Sequence, residues 1–253
     1  MRIKVIASGS KGNSTFVESG NTRILIDAGV NYSRISKTLE EIDVDPLSLD
    51  GIIISHTHSD HIGGLSSVIK KLKIPVFIKE ELYHDIKKVI PSEYIVLIEN
   101  QNLSIGDLDN ELINASHDVP AFGFIISDSK RKILYLTDTG YINRKYYEKL
   151  NNLDAYIIES NHDEKMLMDG PYPYILKQRV ISDRGHLSNR YTGRFLNKSI
   201  GNKTKYIVLA HISENNNTEE LALEQVKEEL KESGYKKKII IAKQHIDTEM
   251  VEI

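Results

Sequence analysis

The run Gly51-Ile52-Ile53-Ile54-Ser55 leads directly into His56-Thr57-His58-Ser59-Asp60-His61, and this junction constrains the fold more than any other feature of the chain. A short apolar run rich in β-branched residues reads as a buried strand. Imidazoles and carboxylates desolvate badly, so clustering His56, His58, Asp60 and His61 at its end costs stability unless something pairs with them. A divalent cation is the natural partner: imidazole suits zinc, manganese or iron, and a carboxylate adds a harder ligand. The spacing suggests two ions. His56 and His58 point to one side of an extended stretch, while Asp60 and His61 can turn toward another.

Two ions need more ligands than one loop supplies, and three candidates stand where other β-type runs stop. His117 follows Glu111-Leu112-Ile113-Asn114-Ala115-Ser116, Asp138 follows Lys132-Ile133-Leu134-Tyr135-Leu136-Thr137, and His211 follows Lys205-Tyr206-Ile207-Val208-Leu209-Ala210. A loop at a strand end can project each of them into a cleft. The chain has no cysteine, which excludes disulfides and thiolate ligands and leaves N and O donors to build the site.

An early strand ending in Leu25-Ile26-Asp27-Ala28-Gly29, the His-x-His-x-Asp-His run, His117, the segment Leu136-Thr137-Asp138-Thr139-Gly140 and finally His211 occur in that order. Together these five motifs, spanning residues 27 to 211, strongly resemble the metallo-β-lactamase superfamily. The resemblance implies an α/β fold, the four-layer αββα sandwich, with a dinuclear site at one edge. It implies that His56, His58 and His117 hold one metal, that Asp60, His61 and His211 hold the other, and that Asp138 bridges. Asp27 would orient the ligand loop without touching metal.

Finer matches lie in Ala7-Ser8-Gly9-Ser10-Lys11-Gly12-Asn13-Ser14, Ile158-Glu159-Ser160-Asn161-His162-Asp163, Gly170-Pro171-Tyr172-Pro173 and Gly185-His186-Leu187-Ser188-Asn189. These resemble the YycJ/WalJ group, which is associated with exonuclease activity on DNA and neighbours the ribonuclease Z enzymes. This closer resemblance implies a 5′-to-3′ exonuclease, a phosphodiesterase using two divalent ions (zinc, manganese or iron). Glu159 and His186 fall where ribonuclease Z carries a proton-shuttling pair, and Asp60 would hold the attacking water. The Ser8–Ser14 loop offers backbone N–H groups and hydroxyls to a phosphate. Ser8, Ser10 and Asn13, with Asn161 and Asn189, are the expected substrate contacts. The alternative is a small-molecule hydrolase of the same fold, acting on thioesters, lactams or cyclic phosphodiesters.

The rest of the chain sets bounds. At 253 residues, 40% hydrophobic and 27% charged, it reads as one globular domain over residues 1–253 with a real core. Met1-Arg2-Ile3-Lys4-Val5-Ile6 has no apolar stretch long enough for a signal peptide, and no window reaches a membrane span, so a cytoplasmic enzyme is expected. A net charge of −3 argues against indiscriminate adhesion to nucleic acid but leaves room for a local basic groove. Arg179, Arg184, Arg190 and Arg194, grouped around His186, are the candidates; Lys236-Lys237-Lys238 reads as a solvated face. The intervals from His117 to Asp138 and from Asp138 to His211 are too short for the added parts of RNA-processing relatives. They leave an insert at about 160–186 to shape the cleft.

Periodicity predicts strands at 2–7, 14–18, 23–27, 51–55, 94–98, 111–115, 122–127, 132–137, 154–159, 205–210 and 238–242. Helices are predicted from Gly64 to about Lys73 and over 79–90, 143–151, 187–199 and 218–233. The last has Asn217 as its expected cap, with Glu220 three residues on, and stops at Gly234. His84 reads as exposed; His162 and His245 have no assigned role.

Overall fold

The computed structural model describes residues 1–253. In chain order, β1 (Arg2–Ala7), β2 (Ser14–Ser19) and β3 (Thr22–Ile26) precede α1 (Tyr32–Glu40), β4 (Gly51–Ile53), α2 (Ser59–Ile62), α3 (Leu65–Leu72), β5 (Val76–Ile78), α4 (Tyr83–Ile86) and β6 (Ile95–Leu97). A second series runs through β7 (Asn102–Ile105), β8 (Leu108–Ala115), β9 (Ala121–Ser127), β10 (Lys132–Leu136) and β11 (Ala155–Glu159). The chain ends with α5 (Glu164–Asp169), α6 (Tyr174–Ile181), α7 (Asn189–Ser199), β12 (Tyr206–Ala210), α8 (Glu219–Glu229), β13 (Ile239–Ile241) and β14 (Val251–Glu252).

The strands form two seven-stranded sheets, ordered β14-β1-β2-β3-β4-β5-β6 and β13-β12-β11-β10-β9-β8-β7. In each, β-hairpin pairing gives way to parallel strands: β3 to β6 in the first sheet, β10 to β13 in the second. Parallel strands are covered on both faces, so their sequences read as continuous apolar runs. In β10, Ile133 and Tyr135 face the core shared by the two sheets, while Leu134 and Leu136 face the other way, among residues of α7 and α8. Ala155 and Ile157 against Tyr156 and Ile158 in β11 repeat the alternation. Ile35 and Leu39 of α1, with Val68 and Ile69 of α3, pack on the first sheet. Phe195 and Leu196 of α7, with Ala222 and Val226 of α8, cover the second. The architecture is the αββα sandwich.

Several local expectations need correction. Residues 79–90 do not form one helix: a 3-10 turn at Glu80–Leu82 passes into the single turn of α4. Lys79 is buried there, its Nζ donating to the Ile98 carbonyl at 3.0 Å, and that tie to the sheet edge fixes the entry of the segment. Residues 143–151 hold a 3-10 turn at Arg144–Tyr146 followed by turns rather than a helix, and the Tyr146 hydroxyl accepts from the Asn114 N–H on β8. The last long helix is capped by Thr218, whose hydroxyl accepts from Leu221 N–H. Asn217 instead turns inward, donating from Nδ2 to the carbonyls of Ser160 and Asn161. The helix expected from residue 187 begins at Asn189, capped by Ser188. Four helices (α1, α2, α5 and α6) and three strands (β5, β7 and β14) lie outside the predicted elements.

Candidate metal centre and catalytic cleft

The site is assembled from the ends of strands. Asp27 follows β3, His56 follows β4 through Ile54 and Ser55, His117 follows β8, Asp138 follows β10, Glu159 ends β11 and His211 follows β12. Three of these turns are tight enough to force a left-handed backbone on a residue with a Cβ: Asp27 (φ 61°), Asp138 (φ 55°) and His211 (φ 52°). Such conformations cost about 1–3 kcal/mol each and gather at functional sites. Here they turn one carboxylate or imidazole off each strand toward a common point.

The histidines share one pattern: one ring nitrogen is held by an acceptor and the other faces the site. His61 Nδ1 donates to Asp27 Oδ2 at 2.7 Å, and His211 Nδ1 to Glu159 Oε1 at 3.1 Å. His117 Nδ1 donates to the Gly185 carbonyl at 3.2 Å, and His58 Nε2 lies 3.3 Å from Asp118 Oδ1. The Ser55 hydroxyl donates to Asp27 Oδ2 and so accepts from His56 Nδ1 at 3.0 Å. Each opposite nitrogen is thereby left as a bare lone pair, the arrangement in which outer carboxylates and carbonyls orient metal-ligating imidazoles.

Those inward atoms stand close together. His58 Nδ1 and His117 Nε2 are 3.3 Å apart, His61 Nε2 and Asp138 Oδ2 3.1 Å, His211 Nε2 and Asp60 Oδ2 3.4 Å, and His211 Nε2 and Asp138 Oδ1 3.5 Å. Two ligands each about 2.0–2.1 Å from a tetrahedral ion lie about 3.3 Å from one another. The spacings are therefore the edges of coordination shells. Buried His56 Nε2 and Asp138 Oδ2 have no hydrogen-bond partner. A buried polar atom left unpaired is costly, and a cation removes that cost. Four sets of side chains could each converge on an ion, among them His56 with His58 and His117, and Asp60 with His61 and His211; Asp138 joins His56 and His61 in a third. The donors fit divalent metal.

The electrostatics point the same way. Asp27, Asp138 and Glu159 are buried and Asp60 nearly so. Burial would lower the pKa of His211, but Asp138, Asp60 and Glu159 together push it up to about 10. His61 is likewise raised against its burial by Asp27 and Asp138. His56, walled in among other histidines, is driven down by burial. Without a cation this cluster draws in protons; an ion of positive charge does the same work without them.

The neighbouring loops stitch the ligands in place. Asn13 N–H donates to the Asp60 carbonyl at 2.7 Å, and its Nδ2 lies 3.1 Å from Asp60 Oδ2 and 2.9 Å from His61 Nε2. The Ser8 hydroxyl accepts from His211 N–H at 2.7 Å. Both residues, expected at a substrate phosphate, thus have hydrogen bonds to ligand loops. Ser10 and Asn161 line the cleft, Asn161 Nδ2 also donating to the His211 carbonyl at 3.0 Å. Asn189 does not reach it: wholly buried, it is bonded to Ser160 and Asn217, so the expected substrate contact is corrected to a structural one.

Glu159 is the hub of the remaining wall. Its Oε1 accepts from His186 Nδ1 at 2.7 Å, and its Oε2 from the N–H groups of Thr139 at 3.0 Å and Leu187 at 3.1 Å. Burial opposes its ionisation, yet the charge and hydrogen bond of His186, with the hydrogen bond from His211, hold its pKa at about 2. His186, raised in turn by Glu159 against its own burial, stacks on His211 with ring centroids 5.3 Å apart and faces the cleft.

The cleft has a volume of about 290 Å³ and is roofed by the 160–186 segment, which contributes Tyr172, Leu176, Arg179 and Arg184. Arg179 pairs with Asp118, which also touches His58 and His117; no ion pair engages Arg184. The arginine group splits, since Arg194 lies elsewhere beside Glu229. Asp118 and Ser55 were missed in the sequence, although each adjoins a ligand at a strand end. His162 is buried with Nδ1 unpaired, His84 is exposed as expected, and His245 meets Glu214 at the surface.

Comparison with known proteins agrees with this geometry. The family model described as the beta-lactamase superfamily domain matches residues 22–212. Exodeoxyribonuclease WalJ of Streptococcus pneumoniae is 38% identical over 229 residues, covering 87% of this chain and 85% of the relative. Exodeoxyribonuclease YycJ of Bacillus anthracis is 32% identical over 241 residues, covering 93% and 91%. Among solved structures, the metallo-beta-lactamase fold protein YhfI from Bacillus subtilis superposes with a TM-score of 0.73 at 20% identity, covering 99% of each chain. With the ligand cluster at the strand ends and a family match across most of its length, the chain belongs to the beta-lactamase superfamily and is a metal-dependent hydrolase.

Proposed function

We propose that this chain is a dinuclear phosphodiesterase that degrades DNA from its 5′ end. The observation that carries the reading is the set of seven inward-facing donors: His56, His58, Asp60, His61, His117, Asp138 and His211. Asp138 presents one carboxylate oxygen to His61 and the other to His211. The similarity to proteins named exodeoxyribonucleases supports DNA as the substrate, and the cysteine-free N/O ligand set supports zinc or manganese. No helix is long and apolar enough to cross a membrane.

Bound divalent ions would supply Lewis acidity and a nucleophilic water at neutral pH. The protein's own groups do the rest. Asp60, pinned by Asn13, offers a carboxylate oxygen to orient the attacking water. Ionised Glu159 accepts from His186 Nδ1 and raises the pKa of His186, so the ring is held as the doubly protonated imidazolium, and its second proton, on Nε2, passes to the departing 3′ oxygen. Arg184, free of any carboxylate partner, meets the phosphate at the cleft rim.

The test incubates manganese- or zinc-loaded protein with oligonucleotides labelled at either end, beside thioesters and chromogenic lactams. Release of the 5′ label as mononucleotide, ahead of a shortening 3′-labelled ladder, is expected. Turnover of a thioester or lactam with intact DNA would replace this reading with the small-molecule alternative.

A further inference from the structure

Beyond the cleft, the loop that carries Asp138 leads into a second, larger cavity of about 520 Å³. Its walls are Tyr141, Arg144, Tyr147, Tyr191, Arg194 and Lys198. The chain as a whole has net charge −3, yet α7 holds three cations and no acid over Asn189–Ser199. Arg190, Arg194 and Lys198 are spaced by four, so they share one face of the helix, and all three are exposed. The opposite face, with Phe195 and Leu196, is in the core. Glu229 lies 3.3 Å from Arg194, while neither Arg144 nor Lys198 has a carboxylate partner.

The floor is aromatic. Tyr147 packs edge-on against Phe195 with centroids 5.6 Å apart, and the Tyr191 hydroxyl accepts from Ile142 N–H at 3.3 Å. Tyr141 is 37% exposed at the near end. It is three residues beyond Asp138, which puts their Cα atoms no more than about 11 Å apart. That loop is fixed: Gly140 N–H donates to the Ser116 carbonyl at 2.9 Å, and the Thr139 hydroxyl to the Tyr141 carbonyl at 2.8 Å. Gly140 is pressed so closely on Asp183 that a Cβ would come within 2.3 Å of its backbone. An exposed aromatic on an anchored loop, a few residues from Asp138, therefore lines the cation-bearing groove.

We infer that this groove is a binding track for the single-stranded DNA that extends past the cleft, with Tyr141 stacking on a base and Arg144, Arg194 and Lys198 meeting phosphates. The inference rests on the DNA reading above. Cations tracking a backbone beside aromatic platforms are how single strands are held without sequence preference.

The test measures anisotropy of a fluorescein-labelled phosphorothioate oligothymidylate on the metal-loaded protein, with hydrolysis of bis-p-nitrophenyl phosphate in parallel. Arg144→Ala/Lys198→Ala should weaken binding about tenfold at moderate salt. It should also flatten the slope of log affinity against log salt by about 1.4, the value for two lost single-strand contacts. Tyr141→Ala should weaken binding about tenfold through lost stacking. Turnover of the small diester should stay within about twofold in both, since it occupies the cleft alone. Lys236→Ala/Lys237→Ala removes the same charge from a lysine cluster that does not line the groove and should change neither readout. Unchanged affinity and salt slope in the groove variants, or an equal loss in the lysine control, overturns the track. If the unaltered protein neither binds nor degrades DNA, the DNA reading falls as well, and the two failures are told apart by that wild-type arm.

Discussion

At the scale of single residues, Asp27, Ser55, Asp118 and Glu159 decide how the imidazoles stand, and each occupies an outer ring nitrogen or hydroxyl. The donor cluster itself was legible in the sequence because an apolar strand that ends in His56, His58, Asp60 and His61 gathers groups that need a partner once buried. Their orienting partners were less legible: Ser55 and Asp118 are ordinary polar residues until the fold aims them. His186 is the sharpest test of the division between metal holding and proton transfer. His186→Ala should keep metal and fold but slow DNA hydrolysis by about 10²–10⁴-fold, the usual scale for a lost general acid. The loss should shrink on bis-p-nitrophenyl phosphate, whose acidic phenol leaves without a proton. Equal losses on both substrates, measured side by side, would assign His186 to positioning instead.

At the scale of elements, the parallel strands could be read because both faces are buried and the apolar runs are continuous. Short elements whose form depends on distant contacts could not. Helix α1 is mostly polar, with two Ser and one Thr in nine residues, and its aliphatic signal is only Ile35 and Leu39 behind the Asn31 cap. The 143–151 segment has helical composition, but Tyr146 and the left-handed Asn152 serve neighbouring strands and loops. Around the site, three loops meet without room to spare: Gly29 N–H donates to the Asn13 carbonyl at 2.8 Å, and a Cβ on Gly29 would lie 1.7 Å from the Asp60 carbonyl oxygen. Gly29→Ala must therefore push the Asp60 loop away. Thermal melts should show a loss of about 1–3 kcal/mol, the scale of overpacking. Chelator competition should show weaker metal retention. A variant with wild-type melting temperature and wild-type retention would show that the loops are not coupled there.

At the scale of the whole molecule, two sheets share one core and carry the site along a single edge, so acid stability and metal retention are linked through buried histidines. His162 is outside the ligand set and isolates the first of these. Burial pushes its pKa down to about 4, below the roughly 6.5 of an unfolded chain. Between those values the unfolded state binds the proton that the folded state refuses, so stability falls as pH drops through this window and levels off below it. The contribution reaches about 2 kcal/mol by pH 5. In urea titrations at pH 7 and pH 5, His162→Gln should lose about that much less stability than the wild type on acidification. Identical pH dependence in the two proteins would show that His162 is not the buried neutral group described.

The proposed dinuclear centre is tested most directly by counting metal per chain, by elemental analysis of the purified protein after manganese or zinc loading and gel filtration. Two ions per chain are expected for the wild type. Asp138→Ala, lacking the carboxylate that faces both His61 and His211, should fall to one ion or fewer. A single ion in the wild type, or two retained in full by Asp138→Ala, would contradict the shared-carboxylate site.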